Sequence, residues 1–216
     1  MSASRAVLFD LDGTLADTAP DLAAALNRLR AGQGLEPMPL ERVRPFASAG
    51  ARGLVHVGFG VKPGEGEYNA LREAFLEHYR EHTCVETRLF PGIAELLREL
   101  AARAIKWGIV TNKATRFTDR IVAALKLKPD CIACGDTTPH LKPHPASLLH
   151  AAEVLNLAPD ECMYLGDDLR DIQAARAAGM RPVAVEWGYH HPESGGPGTW
   201  EAAAVIRQPM EVLRLL

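Results

Sequence analysis

Short apolar runs recur along this chain, and most of them end at a glycine, a proline or a polar side chain. Runs of this length between turn residues are typical of buried strands in a parallel sheet. The pattern predicts six strands, at residues 6–11, 107–111, 131–134, 162–165, 182–185 and 203–206. The last of these has the weakest pattern.

Apolar residues three and four positions apart fill several intervals between these runs, as on the buried face of an amphipathic helix. Three sets show this spacing: Ile93, Leu96, Leu97, Leu100 and Ala104; Phe117, Ile121, Ala124 and Leu125; Leu148, Leu149, Ala152 and Leu155. Pro145 suits the first turn of the third helix, because a helix leaves its first N–H groups unpaired. Strands that alternate with helices in this way predict an α/β fold with a doubly wound parallel sheet.

The stretch from residue 16 to residue 87 departs from this rhythm, because it contains no strand-like run of similar quality. Thr18 marks the start of one helix, which Gly32 ends. A second helix carries the apolar set Tyr68, Leu71, Phe75 and Tyr79. We expect a helical cap domain at residues 16–87, inserted into a catalytic core formed by residues 1–15 and 88–216. Placed directly after the first strand, the cap would lie over the ligand-binding edge of the sheet.

Composition narrows the class of protein. The chain has 216 residues, of which 47% are hydrophobic and 24% charged, as in ordinary soluble globular proteins. Its net charge of −3, without a dense block of Lys and Arg, argues against a nucleic-acid partner. No apolar run reaches the length that spans a membrane. The N-terminus leads almost at once into a strand without a signal-peptide pattern, so we expect a cytoplasmic monomer or homodimer.

The four cysteines are then expected to be free thiols, because the cytoplasm keeps thiols reduced. Cys131 and Cys134, followed by His140 and His144, have a superficial likeness to a zinc pattern. Their spacing is irregular, however, and the two cysteines lie in a predicted buried strand. We therefore expect structural thiols that pack as small apolar side chains, rather than a zinc site.

Four short signatures follow the predicted strands or the loops after them. They are Asp10-Leu11-Asp12-Gly13-Thr14, Thr111-Asn112, Lys142-Pro143 and Gly166-Asp167-Asp168. Because the carboxyl ends of parallel strands open onto one edge, where ligands bind, side chains far apart in sequence can meet there. The set combines several carboxylates, hydroxyl and amide donors and a lysine, which suits metal-assisted phosphoryl transfer.

The first signature places two carboxylates on one side of a strand end, because strand side chains alternate. Gly13 then allows a sharp turn. The mutual repulsion of Asp10 and Asp12 is offset by a bound cation or a shared proton. We expect Asp10 to attack phosphorus and form an aspartyl-phosphate, and Asp12 to act first as general acid and then as general base. The alternative is a turn that two acids cap.

The second and third signatures supply donors and a cation. Thr111 and Asn112 can donate to phosphoryl oxygens without adding charge, although the pair also suits a helix cap. Lys142, in a loop that Pro143 stiffens, would neutralise the carboxylates and bind the transferring group. A lysine before a proline is usually a solvated loop residue, and only its place in the ordered set favours a catalytic role.

The fourth signature supplies a metal ligand. A phosphate dianion that faces a carboxylate nucleophile needs a cation between them, and Mg²⁺ prefers oxygen ligands. We expect Asp167 to bind Mg²⁺ together with Asp10 and the main-chain carbonyl of Asp12. Asp168 and Asp171 admit two interpretations: they cap the following helix as N-cap and N3 residues, or they support the metal.

In this order and spacing, the four signatures resemble those of the haloacid dehalogenase superfamily, and the resemblance covers essentially the whole chain. It implies a Rossmann-like core, an aspartate nucleophile and a helical cap between the first and second signatures. The matching positions are Asp10, Asp12, Thr111, Lys142 and Asp167. The dehalogenases themselves lack an aspartate at the place of Asp12, so its presence favours phosphate chemistry.

Two groups within the superfamily are similar in further detail. Bacterial phosphoglycolate phosphatases are similar at residues 9–18, 110–113 and 166–179. N-acetylmuramic acid 6-phosphate phosphatases are similar, slightly more closely, at residues 50–53, 166–171 and 188–193 and at Trp200. Both substrates are phosphomonoesters that also carry a carboxylate. The resemblance therefore implies a phosphatase that acts on one of these two small molecules.

The shared carboxylate suggests a role for Arg52, which follows an expected flexible turn at Gly50 and Ala51. The guanidinium would pair with the carboxylate bidentately; a solvated residue of the cap is the other interpretation. Residues 189–191 follow a core strand and are expected to form a plain surface loop, with contact to the substrate or the cap as the alternative.

Three other functions stay open at this point. A β-phosphoglucomutase-like sugar-phosphate mutase shares the core signatures and returns the phosphoryl group to its substrate. A phospho-acceptor switch like a response-regulator receiver also places acids and a lysine on a parallel sheet, but the helical insertion and the spacing of Asp10 and Asp12 speak against it. A catalytically silent binding module generally loses an acid or the lysine, and this chain keeps them all.

Overall fold

The computed structural model describes residues 4–216 and contains a six-stranded parallel sheet and a two-stranded antiparallel ribbon. The sheet strands are β1 (Ala6–Phe9), β4 (Lys106–Val110), β5 (Cys131–Ala133), β6 (Cys162–Gly166), β7 (Arg181–Val185) and β8 (Ala204–Ile206). The ribbon strands are β2 (Ala16–Asp17) and β3 (Arg88–Leu89). The α-helices are α1 (Ala19–Gly32), α2 (Leu40–Val43), α3 (Gly50–Phe59), α4 (Tyr68–Glu81), α5 (Ile93–Ala102), α6 (Thr115–Ala124), α7 (Ala146–Leu155) and α8 (Leu169–Ala178).

Strand β1 lies inside the sheet, whose order is β5-β4-β1-β6-β7-β8. Ala6 pairs with Lys106 of β4 on one side and with Cys162 of β6 on the other. The chain thus winds outward from β1 in both directions, which is the doubly wound arrangement. The predicted α/β fold and its six strands are confirmed, and the strand ends differ from the predicted ones by one or two residues.

Alternate residues of β1 explain the two layers of helices around the sheet. Val7 and Phe9 belong to one apolar cluster, which includes Ile93 of α5. Ala6 and Leu8 belong to another, which includes residues of α7 and α8. All four β1 side chains are fully buried. Because helices cover both faces of the sheet, the ends of the strands are the place for a ligand.

Helices α1 to α4 lie between the two strands of the ribbon, and we call residues 18–87 the helical insertion. The insertion has its own apolar cluster, in which α1 packs against α4. Asp21 of α1 accepts hydrogen bonds from the main-chain N–H groups of Glu86 and Thr87, both over 2.9 Å, and from the Thr87 hydroxyl over 2.6 Å. These bonds fasten the beginning of the insertion to its end.

Two features of this region differ from the sequence-based expectation. The ribbon strands have two residues each, which is too short for a strand pattern. The flexible turn expected at Gly50 and Ala51 is wrong, because α3 begins there. Gly50 has φ 59° and lies at the junction between a 3₁₀ helix and α3. Leu54 is fully buried on α3, so packing holds Arg52 on the first turn of a helix.

The cysteines agree with the sequence-based expectation. Cys131, Cys134 and Cys162 are buried free thiols, and burial raises the pKa of Cys131 to about 12. Within residues 4–216, no group of side chains placed to hold a metal includes Cys131 or Cys134. Over the same residues, no helix has both the length and the apolar character that crossing a membrane requires.

Candidate active site

Three of the four signatures begin where a strand of the sheet ends. Asp10 follows β1, Thr111 follows β4, and Asp167 follows Gly166, the last residue of β6. Lys142 reaches the same edge from the loop between β5 and α7. All of these side chains are buried. The structure therefore brings the signatures together at the carboxyl edge of the sheet, as predicted.

A tight turn after β1 packs the first signature against Asp167. The N–H of Gly13 donates to the carbonyl of Ala16 over 3.0 Å, and the N–H of Leu15 donates to that of Asp10 over 3.2 Å. Gly13 has φ 85°, and a Cβ at this position would lie 2.2 Å from Oδ2 of Asp167. Both the backbone angle and the close approach require glycine.

Lys142 is the buried cation of the site. Its Nζ lies 2.9 Å from Oδ1 of Asp10 and 2.7 Å from Oδ1 of Asp171. It also donates to the Tyr164 hydroxyl over 2.7 Å. Burial acts to lower the pKa of Lys142, but the charges of Asp10 and Asp171 outweigh burial and raise this pKa. The lysine therefore stays charged and screens the two acids from each other.

Asp10 is a buried carboxylate whose pKa stays high in spite of its lysine partner. Burial raises the pKa of Asp10 from 3.8 to about 7, supported by the charges of Asp171 and Asp12 and opposed by Lys142. Oδ1 of Asp10 is buried and accepts no hydrogen bond from residues 4–216, although the Lys142 ammonium lies close to it. A carboxylate in these surroundings gains from a further cation.

Asp12 faces a second lysine, to which the sequence analysis gave no role. Nζ of Lys113 lies 3.1 Å from Oδ1 of Asp12, and the two side chains are 8% and 13% exposed. The Thr18 hydroxyl donates to the same oxygen. The sequence offered one indication of this contact, because Lys113 directly follows the second signature. A lysine just after the end of β4 lies close to acids just after the end of the neighbouring strand β1.

Thr111 and Asn112 bond to neighbouring main-chain groups. The Thr111 hydroxyl accepts from the N–H of Lys113 over 3.1 Å, so its own hydrogen is free to donate. The Asn112 side chain accepts from the N–H of Lys142 over 2.9 Å and donates to its carbonyl over 3.0 Å. Asn112 therefore holds the lysine loop in place, and donation of its second amide hydrogen to a substrate stays a prediction.

Asp168 and Asp171 cap α8, as one of the two sequence-based interpretations predicts. Asp168 is the N-cap residue and accepts from the N–H of Arg170 over 2.9 Å, while Asp171 accepts from the N–H of Asp168 over 3.1 Å. Asp168 also pairs with the Arg170 guanidinium at 2.7 Å. The other oxygen of Asp171 meets Lys142. Protein groups thus engage both acids, and their support of a metal stays a prediction.

Asp167 is fully buried and accepts three hydrogen bonds. Oδ1 accepts from the Thr14 hydroxyl over 2.9 Å, and Oδ2 accepts from the Ser48 hydroxyl over 2.9 Å and from the N–H of Tyr189 over 3.0 Å. Burial, and then the charge of Asp10, raises the pKa of Asp167. Because Ser48 belongs to the helical insertion, Asp167 contacts both parts of the chain.

The acids at this edge fit a divalent cation. Asp10, Asp167 and Asp171 each offer a carboxylate oxygen, and these three atoms lie within 4.8 Å of one another. Oxygen is the donor that Mg²⁺ prefers. Oδ1 of Asp10 accepts no hydrogen bond within residues 4–216, although the Lys142 ammonium lies 2.9 Å away, so it has room for a metal contact. Both oxygens of Asp171 already have partners. Asp167 also accepts three hydrogen bonds, so the choice of Asp10, Asp167 and the Asp12 carbonyl as the ligands stays a prediction.

Tyr189 shows that the plain surface loop expected at residues 189–191 is wrong. The residue is 4% exposed. Its hydroxyl accepts from the N–H groups of Thr18 over 2.7 Å and Ala19 over 2.9 Å, and it donates to Asp17 over 2.9 Å. Helix α1 has no side-chain cap of its own. Tyr189 therefore satisfies the start of this helix from the far side of the site.

A cavity of about 470 Å³ opens between the sheet edge and the helical insertion. Asp10, Asp12 and Lys142 line it from the sheet side. The insertion contributes both basic and aromatic side chains, among them Arg52, Arg72, Tyr68, Phe75 and Tyr79. Arg52 is exposed and lines the cavity from α3. The structure thus places this arginine beside the site, and its pairing with a carboxylate stays a prediction.

Comparison with known sequences assigns the family. The profile of the haloacid dehalogenase-like hydrolases matches residues 7–185. An N-acetylmuramic acid 6-phosphate phosphatase of Pseudomonas aeruginosa is 41% identical over 214 residues, which cover 98% of this chain and 94% of that protein. A phosphoglycolate phosphatase of Xanthomonas campestris pv. campestris is 40% identical over 210 residues, which cover 96% and 94%. The two kinds of relative are thus about equally similar.

Solved structures share the fold over the whole chain. A crystal structure described as a predicted phosphoglycolate phosphatase from Haemophilus somnus aligns with a TM-score of 0.87 at 26% identity, covering 100% of this chain and 99% of that one. A haloacid dehalogenase-like hydrolase from Streptococcus pneumoniae aligns with a TM-score of 0.83 at 25% identity, covering 100% and 99%. Together with the four signatures at one sheet edge, these matches show that the chain belongs to the haloacid dehalogenase-like hydrolases.

Proposed function

We propose that this hydrolase is a Mg²⁺-dependent phosphatase that cleaves a small carboxylate-bearing phosphomonoester through an aspartyl-phosphate. The candidate substrates are 2-phosphoglycolate and N-acetylmuramate 6-phosphate, which the names of the relatives indicate. The supporting observation is the buried Asp10–Lys142 pair at 2.9 Å, with Asp12 and Asp167 beside it. In the same proposal, residues 16–87 act as a cap over a core of residues 1–15 and 88–216, in a cytoplasmic protein.

The proposed reaction has two steps, in which the aspartyl-phosphate first forms and is then hydrolysed. In the first, a carboxylate oxygen of Asp10 bonds to phosphorus while the bond from phosphorus to the ester oxygen breaks, and Asp12 gives that oxygen its proton. In the second, Asp12 takes a proton from water, whose oxygen bonds to phosphorus and displaces Asp10. The products are an alcohol and inorganic phosphate. Lys142 and the Thr111 hydroxyl hold the phosphoryl oxygens.

A bound Mg²⁺ would supply positive charge between the phosphate dianion and the carboxylates. Asp10, Asp167 and the main-chain carbonyl of Asp12 would hold it. Thr14 and Ser48 orient the Asp167 carboxylate through their hydroxyl groups. Such outer contacts fix the direction in which a ligand oxygen points.

The proposal is tested by screening phosphomonoesters, including the two candidates, for release of inorganic phosphate with and without Mg²⁺. We expect Mg²⁺-dependent release from at least one carboxylate-bearing ester and loss of release with a chelator. Isomerised sugar phosphate without released phosphate would identify a mutase instead. A reaction that proceeds unchanged in chelator would contradict the metal requirement.

Arg52→Ala is expected to raise KM for N-acetylmuramate 6-phosphate about 10-fold with little change in kcat, because it removes a charge-assisted hydrogen bond to the substrate carboxylate. Steady-state kinetics measure both constants. Arg28→Ala is the matched control, since Arg28 is exposed on α1 and does not line the cavity. If KM stays unchanged for both candidate substrates, Arg52 does not bind the carboxylate.

Gly188→Ala is expected to lower kcat/KM about 100-fold, because the added methyl group displaces Asp167, and a displacement of about 1 Å near the reacting atoms has an effect of this size. A Cβ at Gly188 would lie 2.1 Å from the Cβ of Asp167, so the acid must move. Phosphate release measured over a range of Mg²⁺ concentrations should also show weaker activation by the metal. Gly196→Ala serves as the control, since nothing lies within 4 Å of a Cβ there. Similar losses in the two variants would contradict this explanation.

A further inference from the structure

Lys113 is a buried cation that the proposed reaction does not use. Its side chain is 8% exposed, lines the cavity and lies beside Asp12, the acid assigned to the ester oxygen. An ammonium has three N–H donors. One meets Oδ1 of Asp12 at 3.1 Å, and the ammonium lies 4.8 Å from the centre of the Tyr79 ring. These contacts leave donor capacity for a ligand in the cavity.

The hydroxyl of Tyr79 is a second polar group without a use. It is buried, and within residues 4–216 no group accepts its hydrogen, while the Lys113 ammonium lies on its oxygen side. Burial raises the pKa of Tyr79 to about 12, although the nearby Lys113 ammonium opposes this effect. A buried hydroxyl without a partner is unfavourable. Because Tyr79 lines the same cavity as Lys113, a ligand oxygen there would satisfy both groups.

We propose that Lys113 and the Tyr79 hydroxyl bind a carboxylate attached directly to the ester carbon of the substrate, and that this contact sets a preference for such esters. The proposal rests on the proposed phosphatase function. A carboxylate suits the pair, because its oxygens accept hydrogen bonds both from an ammonium and from a hydroxyl. The position beside Asp12 restricts the contact to groups close to the ester oxygen.

Lys113 and Arg52 would then bind substrate carboxylates that lie at different distances from the phosphate. In 2-phosphoglycolate the carboxylate is bonded to the ester carbon, within reach of a group beside Asp12. In N-acetylmuramate 6-phosphate it lies on the lactyl group, several bonds from the phosphate. Arg52 is exposed on α3, whereas the side chain of Lys113 is only 8% exposed and lies at the sheet edge beside Asp12. Loss of Lys113 should therefore affect the first ester much more than the second.

The test uses two esters that differ only in this group: 2-phosphoglycolate, and ethyl phosphate, in which a methyl replaces the carboxylate. The quantity compared is the ratio of their kcat/KM values. Lys113→Met keeps the length of the side chain and removes its charge, and we expect the ratio to fall about 20-fold, chiefly through KM for 2-phosphoglycolate. Tyr79→Phe should lower it about 5-fold. Lys113→Arg should restore part of the preference.

Lys128→Met is the control, since Lys128 is exposed and does not line the cavity. A ratio within two-fold of wild type in both Lys113→Met and Tyr79→Phe would overturn the proposal, whatever happens to total activity. If Lys113→Met does not fold, Tyr79→Phe alone decides. A wild-type protein that hydrolyses neither ester, nor N-acetylmuramate 6-phosphate, nor p-nitrophenyl phosphate, would refute the phosphatase function itself. Hydrolysis of both esters without preference would refute only the carboxylate contact.

Discussion

Asp10→Asn is expected to stop phosphate release, with kcat reduced at least about 10⁴-fold, because an amide does not form the phosphoenzyme. The same substitution is expected to stabilise the protein at neutral pH. Asp10 is buried and near other acids, and its Oδ1 accepts no hydrogen bond from the described residues. A neutral side chain of the same shape avoids the unfavourable burial of this charge, and Lys142 keeps Asp171 as its ionic partner at 2.7 Å.

The gain in stability should depend on pH. The pKa of Asp10 is about 7 in the folded chain, above its ordinary 3.8. The folded state therefore binds this proton more tightly than the unfolded state does, and ionisation of Asp10 weakens folding as pH rises from about 4 to about 7. Asparagine does not ionise. The free energy of unfolding of Asp10→Asn should thus exceed that of the wild type by about 4 kcal/mol above pH 7, with little difference near pH 4.

Denaturant unfolding in metal-free buffer at several pH values measures this difference, and a phosphate-release assay measures the loss of turnover. Asp119→Asn is a suitable control, since Asp119 is exposed on α6. Equal stabilities of the Asp10→Asn and wild-type proteins at all pH values would contradict the claim that the buried charge of Asp10 destabilises the folded state. Turnover of the Asp10→Asn variant at the wild-type rate would contradict the assignment of Asp10 as the nucleophile.

Lys142→Met is expected to destabilise the folded chain by about 3 kcal/mol, because it leaves the buried acids Asp10 and Asp171 without their cation. Turnover should fall about 10²- to 10³-fold as well, since the ammonium no longer stabilises the phosphoryl oxygens. Denaturant unfolding and phosphate release measure the two effects separately.

The double variant Lys142→Met with Asp171→Asn distinguishes the structural role of the lysine from its chemical role. Removing the charge of Asp171 relieves one of the two unpaired acids, so we expect part of the lost stability to return. Activity should stay low, because the cation is still absent. Recovery of both stability and turnover would show that Lys142 acts only as a partner for Asp171.

The sequence was sufficient for the features that depend on local patterns. The apolar runs predict the buried strands. The spacing of Asp168 and Asp171 predicts the N-terminal cap of α8, and the structure shows the corresponding hydrogen bonds. The convergence of Asp10, Thr111 and Asp167 follows from their positions at strand ends, because parallel strands end at one edge. Lys142 lies in a loop, and only its place in the ordered set of signatures indicated that it joins them.

Features that depend on contacts between distant segments were not accessible in this way. Tyr189 lies in a loop without a regular pattern, and only the folded chain shows its hydroxyl at the start of α1. Asn112 has a donor and an acceptor to offer, and only the structure shows that both are used on the Lys142 main chain. Helix α3 was missed because Gly50, Gly53 and Gly58 make its sequence resemble a loop.

The short ribbon of β2 and β3 holds the two ends of the helical insertion next to each other. Ala16 pairs with Leu89 and Asp17 with Arg88, so the chain leaves the Rossmann-like scaffold and re-enters it at adjacent positions. Any replacement segment whose ends meet at that spacing could be grafted there without altering the register of the large sheet. Chimaeras joined at these pairs would test whether ligand selection passes between relatives with the inserted segment, provided that the segment keeps a hydroxyl at the position of Ser48.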